Sequence, residues 1–265
     1  AYPLVRAFLM SFYEDYNMIS GEYSRIGLGN YKDLFGDKDF TKALRNTSIY
    51  VVFVVPCSIA LSLLIAVLLN SNIKFRGLFQ TIFFLPYVTS VIAIGLVWSW
   101  IFNSNYGLLN YILSWFGIAK VQWLNKPKYA LPSLIIFSVW KSMAFDILIF
   151  LAGLQTIPKD LYNAARVDST PRWRVFWKIT VPGIAPMISY AFIMGFISAF
   201  KVYNEVFSLW SGKAGPANSA ITVVYYIYDK FYNSHNYGLA SAAAVILFLI
   251  ILVLTVVQRM MGKKK

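Results

Sequence analysis

The sequence predicts an all-α integral membrane protein, on two observations. Only 13% of the 265 residues are charged and the mean hydropathy is +0.60, whereas a soluble domain carries about a quarter charged residues. The apolar residues also gather into runs of about 20 or more, enough for a helix to cross the hydrocarbon core, with polar segments between them. In such a chain a net charge of +13 does not imply nucleic acid; the placement of the charges decides. The single cysteine, Cys57, permits no intrachain disulfide, and one histidine, His235, excludes a multi-histidine metal site.

The elements follow in order. Tyr2 to Tyr13 is apolar apart from Arg6 and Ser11. As a helix it spans about 18 Å, short of the roughly 30 Å core, so it reads as the outer half of a first span whose beginning is missing, or as an interfacial helix. Residues 17–46 are polar with an irregular apolar edge (Tyr31, Leu34, Phe35, Phe40, Ala43, Leu44) and predict one or two amphipathic helices on the bilayer surface. Residues 47–69 form a span with Pro56 inside it, and 70–80 a short loop with Lys74 and Arg76. Thr81–Phe102 is the next span, ended at an interface by Trp98, Trp100 and Phe102. A loop over 103–129 carries one amphipathic piece, Leu108–Phe116. Ala130–Gly153, Met187–Trp210 and Leu239–Met260 are the remaining spans, and a polar, tyrosine-rich segment fills 211–236. No soluble domain, linker or repeat interrupts the chain, so 1–265 reads as one transmembrane domain.

The segment 158–186 stands apart. Lys159, Arg166, Arg172, Arg174 and Lys178 face only Asp160 and Asp168. Leu161, Ala164, Ala165 and Asp168 recur at helical spacing. Ser169, Thr170 and Pro171 break that helix, Pro171 can start a second, and Trp173, Phe176 and Trp177 give the second an apolar edge. Pro182 and Pro186 close the segment. Numbering the loops alternately puts 70–80, 154–182 and the C-terminus on one side, with eleven basic residues against two acidic, net +9. The other side holds ten basic and seven acidic residues, net +3. Positive charge near span ends marks the cytoplasmic face, so 158–182 is cytoplasmic.

These residues resemble the "EAA" cytoplasmic loop of bacterial ABC importer permeases. Its pattern appears as Asn163-Ala164-Ala165, Asp168, Phe176, Ile179, Val181-Pro182 and Pro186, with Asn163 for the usual Glu and Ser169 for the usual Gly. Asn46-Thr47, Phe75-Arg76-Gly77, Leu85-Pro86, Gly95 to Trp98, Gly107 to Asn110, Gly215-Pro216 and Tyr237 to Ala242 extend the likeness across the chain, to sugar-importer permeases of the maltose and glycerol-phosphate type. The resemblance implies a six-span type I permease core with its first span incomplete, in a bacterial plasma membrane. It further implies a second homologous permease, two ATPase subunits and an extracytoplasmic solute-binding protein as partners. Asn163, Ala164, Ala165, Asp168, Ser169, Phe176 and Pro182 would dock in an ATPase groove. ATP and Mg would sit on those ATPase subunits, with no cofactor in this chain and no nucleic acid.

Charges inside the apolar runs are the second signal. Each costs about 2.5–3.5 kcal/mol at a span centre, so Lys141, Asp146, Lys201 and Glu205 should face protein or a wet cavity. Ser138, Lys141, Ser142 and Phe145 fall on one helical face. Phe200, Lys201 and Asn204 make a similar face, beside Phe196, Tyr203 and Phe207. By the resemblance these seven positions are where maltose-type permeases hold the sugar. The plainer alternative is interhelical glue, with Lys201 and Glu205 paired four residues apart. There is no GxxxxGK[ST] phosphate loop, carboxylate pair or nucleophile elbow, so an enzyme has little support. Two function classes stand: the permease of an ATP-driven importer for an oligosaccharide, neutral or acidic, or for a glycerol-phosphate-type substrate; and a secondary carrier using Asp146 and Glu205 as proton or ion sites.

Overall fold

The computed structural model describes residues 2–18, 20–71 and 74–262; Lys263, Lys264 and Lys265, which weigh in the charge asymmetry, lie outside them. Helices dominate: α1 (Tyr2–Met10), α2 (Gly29–Gly36), α3 (Lys38–Asn70), α4 (Arg76–Val88), α5 (Val91–Ile101), α6 (Leu108–Ser114) and α7 (Pro127–Thr156). Next come α8 (Lys159–Val167), α9 (Arg172–Gly183, π-helical over Phe176–Thr180) and α10 (Ala185–Phe200). The last are α11 (Asn204–Leu209), α12 (Val223–Tyr228, running into a π turn, Asp229–Asn233) and α13 (Tyr237–Gly262). Tyr13–Glu14 and Arg25–Ile26 pair as a two-residue antiparallel ribbon.

Among the described residues, α3, α7 and α13 are each long and apolar enough to cross a membrane. There are up to five spans if the bent pairs α4–α5 and α9–α10 each count as one. Three expectations change. Residues 38–46 are no surface helix but the opening of α3, which runs 33 residues, about 50 Å. The Asp37 carboxylate accepts from the Asp39 N–H at 2.8 Å and starts it, and nothing before Asn70 stops it. The span expected over 81–102 breaks at Thr89 and Ser90. Thr89 is extended, and its hydroxyl donates back to the Leu85 carbonyl at 2.7 Å. The span expected over 187–210 breaks at Lys201–Tyr203.

The chain forms two compact units. The first comprises the chain up to Val52, Val91–Phe137 and everything from Ile197. Its core holds Phe40, Phe102, Phe137, Val206, Val223 and Tyr226, all nearly inaccessible. Gly95 lets α5 press on α11, because a Cβ there would lie 2.0 Å from the Ser208 hydroxyl. Residues 211–236, polar in composition, are largely built into this unit. The Asn46 amide donates to the Ser219 and Ile221 carbonyls, both at 3.0 Å, and the Thr47 hydroxyl accepts from the Val223 N–H at 3.0 Å. Lys42 donates to the Ala217 carbonyl at 2.7 Å. Backbone left without a ladder finds its partners in side chains instead.

The second unit comprises Phe53–Ser90 and Ser138–Phe196. Its core gathers Leu63, Ala66 and Leu69 of α3 with Ile147, Phe150, Leu151 and Leu154 of α7, and with Ile157, Ile184 and Ala191. The α7 positions recur at i, i+3, i+4 and i+7, one stripe of a helix.

Candidate functional site

Within the second unit, Pro158 ends α7 and leads into α8. Ala165 alone is buried in α8, at 8% exposure; Asn163 and Ala164 face outward. The end of α8 is a Schellman cap: the Thr170 N–H donates to the Ala165 carbonyl at 2.9 Å and the Ser169 N–H to the Arg166 carbonyl at 3.1 Å. That cap requires Ser169 in the left-handed region, and its φ is 51°. The Tyr162 and Thr180 hydroxyls, 3.2 Å apart, tie α8 to α9.

The single apolar edge expected of the second helix divides. Phe176 turns inward onto the core, whereas Trp173 and Trp177, one turn apart, stand 65% and 62% exposed. The Arg174 guanidinium lies 5.6 Å from the Trp173 ring centroid. Asp168, Ser169 and Pro182 are exposed. This is an outward surface of small residues, two indoles and several cations.

Ser138, Lys141, Ser142 and Phe145 lie on one unbroken helix, α7, and keep the face expected of them. Ser138 is buried and its hydroxyl has no hydrogen-bond partner; the other three are half-buried. Phe145 stacks on Tyr87 of α4, centroids 5.3 Å apart. Asp146 is buried on α7, and the Ser58 hydroxyl of α3 donates to the Val55 carbonyl at 3.1 Å. One turn further on, the Ser62 hydroxyl donates to the Met143 carbonyl at 3.3 Å. This is a polar seam between two helices.

Phe200, Lys201 and Asn204 belong to the first unit and do not share a helical face, because the helix ends between them. Phe200 is the buried last residue of α10, Lys201 is exposed in a turn, and Asn204 opens α11. The break is held from outside: the Thr222 hydroxyl donates to the Val202 carbonyl at 2.8 Å. Lys201 and Glu205 are therefore not four residues apart on one helix. Broken helices at membrane depth are tolerated where they are buried in protein or line a cavity.

Sequence reasoning missed what surrounds the break. Tyr203 lies 4.9 Å from Tyr228, and Tyr228 lies 4.9 Å from Tyr232, centroid to centroid. The signal was present, since Tyr225, Tyr228 and Tyr232 recur at i, i+3 and i+7.

Three helices of spanning length and two bent pairs, with polar side chains inside them and a basic helical segment between them, describe a polytopic membrane protein. Residues 58–265 match the family model of the binding-protein-dependent transport system inner membrane component, and the chain belongs to that family. It is similar to the arabinooligosaccharides transport system permease protein AraP of Halalkalibacterium halodurans, at 35% identity over 97% of this chain and 80% of that one. It is also similar to the trehalose/maltose transport system permease protein MalF of Thermococcus litoralis, at 33% over 98% and 87%. A crystal structure of a bacterial ABC transporter involved in the import of the acidic polysaccharide alginate matches with a TM-score of 0.83. Its identity is 25%, over 99% of this chain and 89% of that one. The protein is thus a membrane-embedded permease subunit, of a family of transporter subunits and not of enzymes.

Proposed function

We propose that this chain, paired with a second homologous permease, forms the translocation path of an ATP-driven importer for a carbohydrate. An extracytoplasmic binding protein delivers the sugar, and two separate ATPase subunits bind ATP and Mg. The transmembrane core is six-span in plan, with α1 belonging to the first span. The secondary-carrier alternative falls away with membership of a binding-protein-dependent family.

The observation that carries the coupling role is the surface of 158–182. Two short helices tied to each other present Asn163, Ala164, Trp173 and Trp177 outward. Exposed indoles and small side chains beside cations suit a protein partner better than water or lipid. Asp168, Ser169, Phe176 and Pro182 shape this surface, Phe176 by anchoring it to the core. Ala164→Trp, at an exposed position, should leave the permease in the membrane but abolish copurification with the ATPase subunits, or sugar-stimulated hydrolysis. Unchanged stimulated hydrolysis in the purified complex would remove the docking role.

Carbohydrate is the cargo of both permease relatives described, and the sugar-contacting set is Ser138, Lys141, Ser142 and Phe145 on α7 with Phe200, Lys201 and Asn204 at the break in the fifth span. The cargo is an oligosaccharide, and the two lysines in that set would tell an acidic one, as alginate is in the structural relative, from a neutral one. Lys141→Gln and Lys201→Gln should slow uptake of acidic oligosaccharides while uptake of neutral ones stays at the parental rate. Equal uptake of both classes by both variants would make the lysines structural.

A further inference from the structure

We propose that Tyr203, Tyr228 and Tyr232 form a stacking ladder that receives the sugar rings of an oligosaccharide and leads them to the broken helix at Lys201. The inference rests on the carbohydrate reading above. These rings line a groove of about 340 Å³ with Val224, Ile227 and Phe231, all within the first unit. That volume lies in the range of small-molecule sites, which are mostly apolar with a few polar groups that orient the ligand.

The tyrosines of this segment divide into two kinds. Tyr225 and Tyr226 are buried, and their hydroxyls are spent on the protein: Tyr225 donates to the Gly212 carbonyl at 2.7 Å and Tyr226 to the Asp37 carboxylate at 2.8 Å. Tyr203 and Tyr228 are only half-buried, and Tyr232 is 62% exposed. Packing uses the first pair completely and leaves ring area of the other three open to the groove. The row continues inward, with Phe207 at 5.7 Å from Tyr203. It is kept in line by the π turn Asp229–Asn233, in which the Ser234 N–H reaches the Asp229 carbonyl five residues back. Such wide turns are frequent at functional sites. A pyranose or furanose offers an apolar C–H face to such rings and hydroxyls to their phenolic edges, whereas a purely apolar ligand would have no use for the hydroxyls. Tyr203 sits between Lys201 and Asn204, so the ladder ends inside the sugar-contacting set.

The test is uptake of lactose, maltotriose, arabinotriose and alginate trisaccharide by the complete importer in proteoliposomes, with its binding protein supplied. For whichever of these sugars the parent imports, Tyr228→Ala and Tyr232→Ala should each slow uptake about fivefold, which is about 1 kcal/mol. Tyr228→Phe and Tyr232→Phe should keep most of the rate. Tyr232 is exposed, so its truncation does not threaten folding, and copurification of the subunits checks assembly of every variant. Ala variants within twofold of the parent overturn the ladder while leaving the carbohydrate reading intact, and would make the tyrosines an interfacial belt facing lipid; Phe variants as slow as Ala overturn the stacking role and leave only the hydroxyls. A parent complex that imports none of the four sugars overturns the carbohydrate reading itself, and the ladder with it.

Discussion

Residues 158–182 and 211–236 are both polar interruptions between apolar helices, and they fold by opposite rules. The first makes two helices that satisfy most of their own backbone groups, cap themselves and turn their largest side chains outward. The second has little regular structure before α12, yet Ala220, Ile221, Thr222 and Val223 are almost completely buried. Its carbonyls and N–H groups are met by side chains of α3, namely Lys42, Asn46 and Thr47. Composition does not separate these cases. What separates them is where each backbone hydrogen bond ends: inside the segment, which frees a surface for a partner, or on a neighbouring helix, which spends it.

The strongest way to break this comparison is to remove one amide from each side. Asn46→Leu strands the buried carbonyls of Ser219 and Ile221, at about 1–3 kcal/mol each, so a loss of about 3 kcal/mol is expected. Asn163→Leu removes an exposed side chain and should change stability by no more than about 0.5 kcal/mol. Thermal unfolding of the two purified variants in one detergent measures the gap. Equal shifts would mean that the two segments are held alike.

A smaller effect separates them by pH. Asp37 anchors the start of α3 to the 211–236 segment: its carboxylate accepts from the Tyr226 hydroxyl at 2.8 Å and from Lys230 at 3.0 Å, beyond the bond from Asp39. Burial pushes this carboxyl up, but the bonds from Tyr226, Lys230 and the Asp39 N–H outweigh it and hold Asp37 below its ordinary value. A depressed carboxyl stabilises the fold at every pH above its unfolded value, near 3.9, and that contribution is lost as pH falls through the folded value. Asp37→Asn should therefore cost about 1.5 kcal/mol at neutral pH, the low end for bonds to a charged group. The difference from the parent should narrow only below about pH 4. A gap that closes already between pH 7 and 5 would contradict the assignment.

The apolar segments were legible because their signal is composition summed over 20 or more residues, a signal that does not show where two of them break. The helices of 158–182 were legible for a related reason: α8 and α9 are local structures, written in Pro158, Pro171 and the spacing of Ala164 and Ala165. What stayed hidden is non-local. Nothing in the residues 200–204 announces a break, for there is neither Gly nor Pro, and Val202 sits in the break with its carbonyl bonded to the hydroxyl of Thr222, twenty residues on. The face drawn through Phe200, Lys201 and Asn204 failed for that reason. Likewise Asn46 reads as one polar residue at a span's edge until its two acceptors, more than 170 residues away, are known.

The smallest expected effect lies in the exposed segment itself. Ser169 holds φ at 51° because the Schellman cap of α8 leaves no other conformation for the residue after Asp168. A non-glycine residue pays roughly 1–2 kcal/mol for the left-handed region, and glycine avoids it while giving back some entropy in the unfolded chain. Ser169→Gly should then stabilise the permease by about 0.5–1 kcal/mol, visible as a small rise in unfolding temperature. Because the cap is already formed with serine, the backbone presented to a partner does not change, and sugar-stimulated hydrolysis by the assembled complex should stay at the parental level. A gain in stability with unchanged coupling would show that the strain at Ser169 is carried by α8 alone. Altered coupling would show instead that the Ser169 side chain takes part in docking.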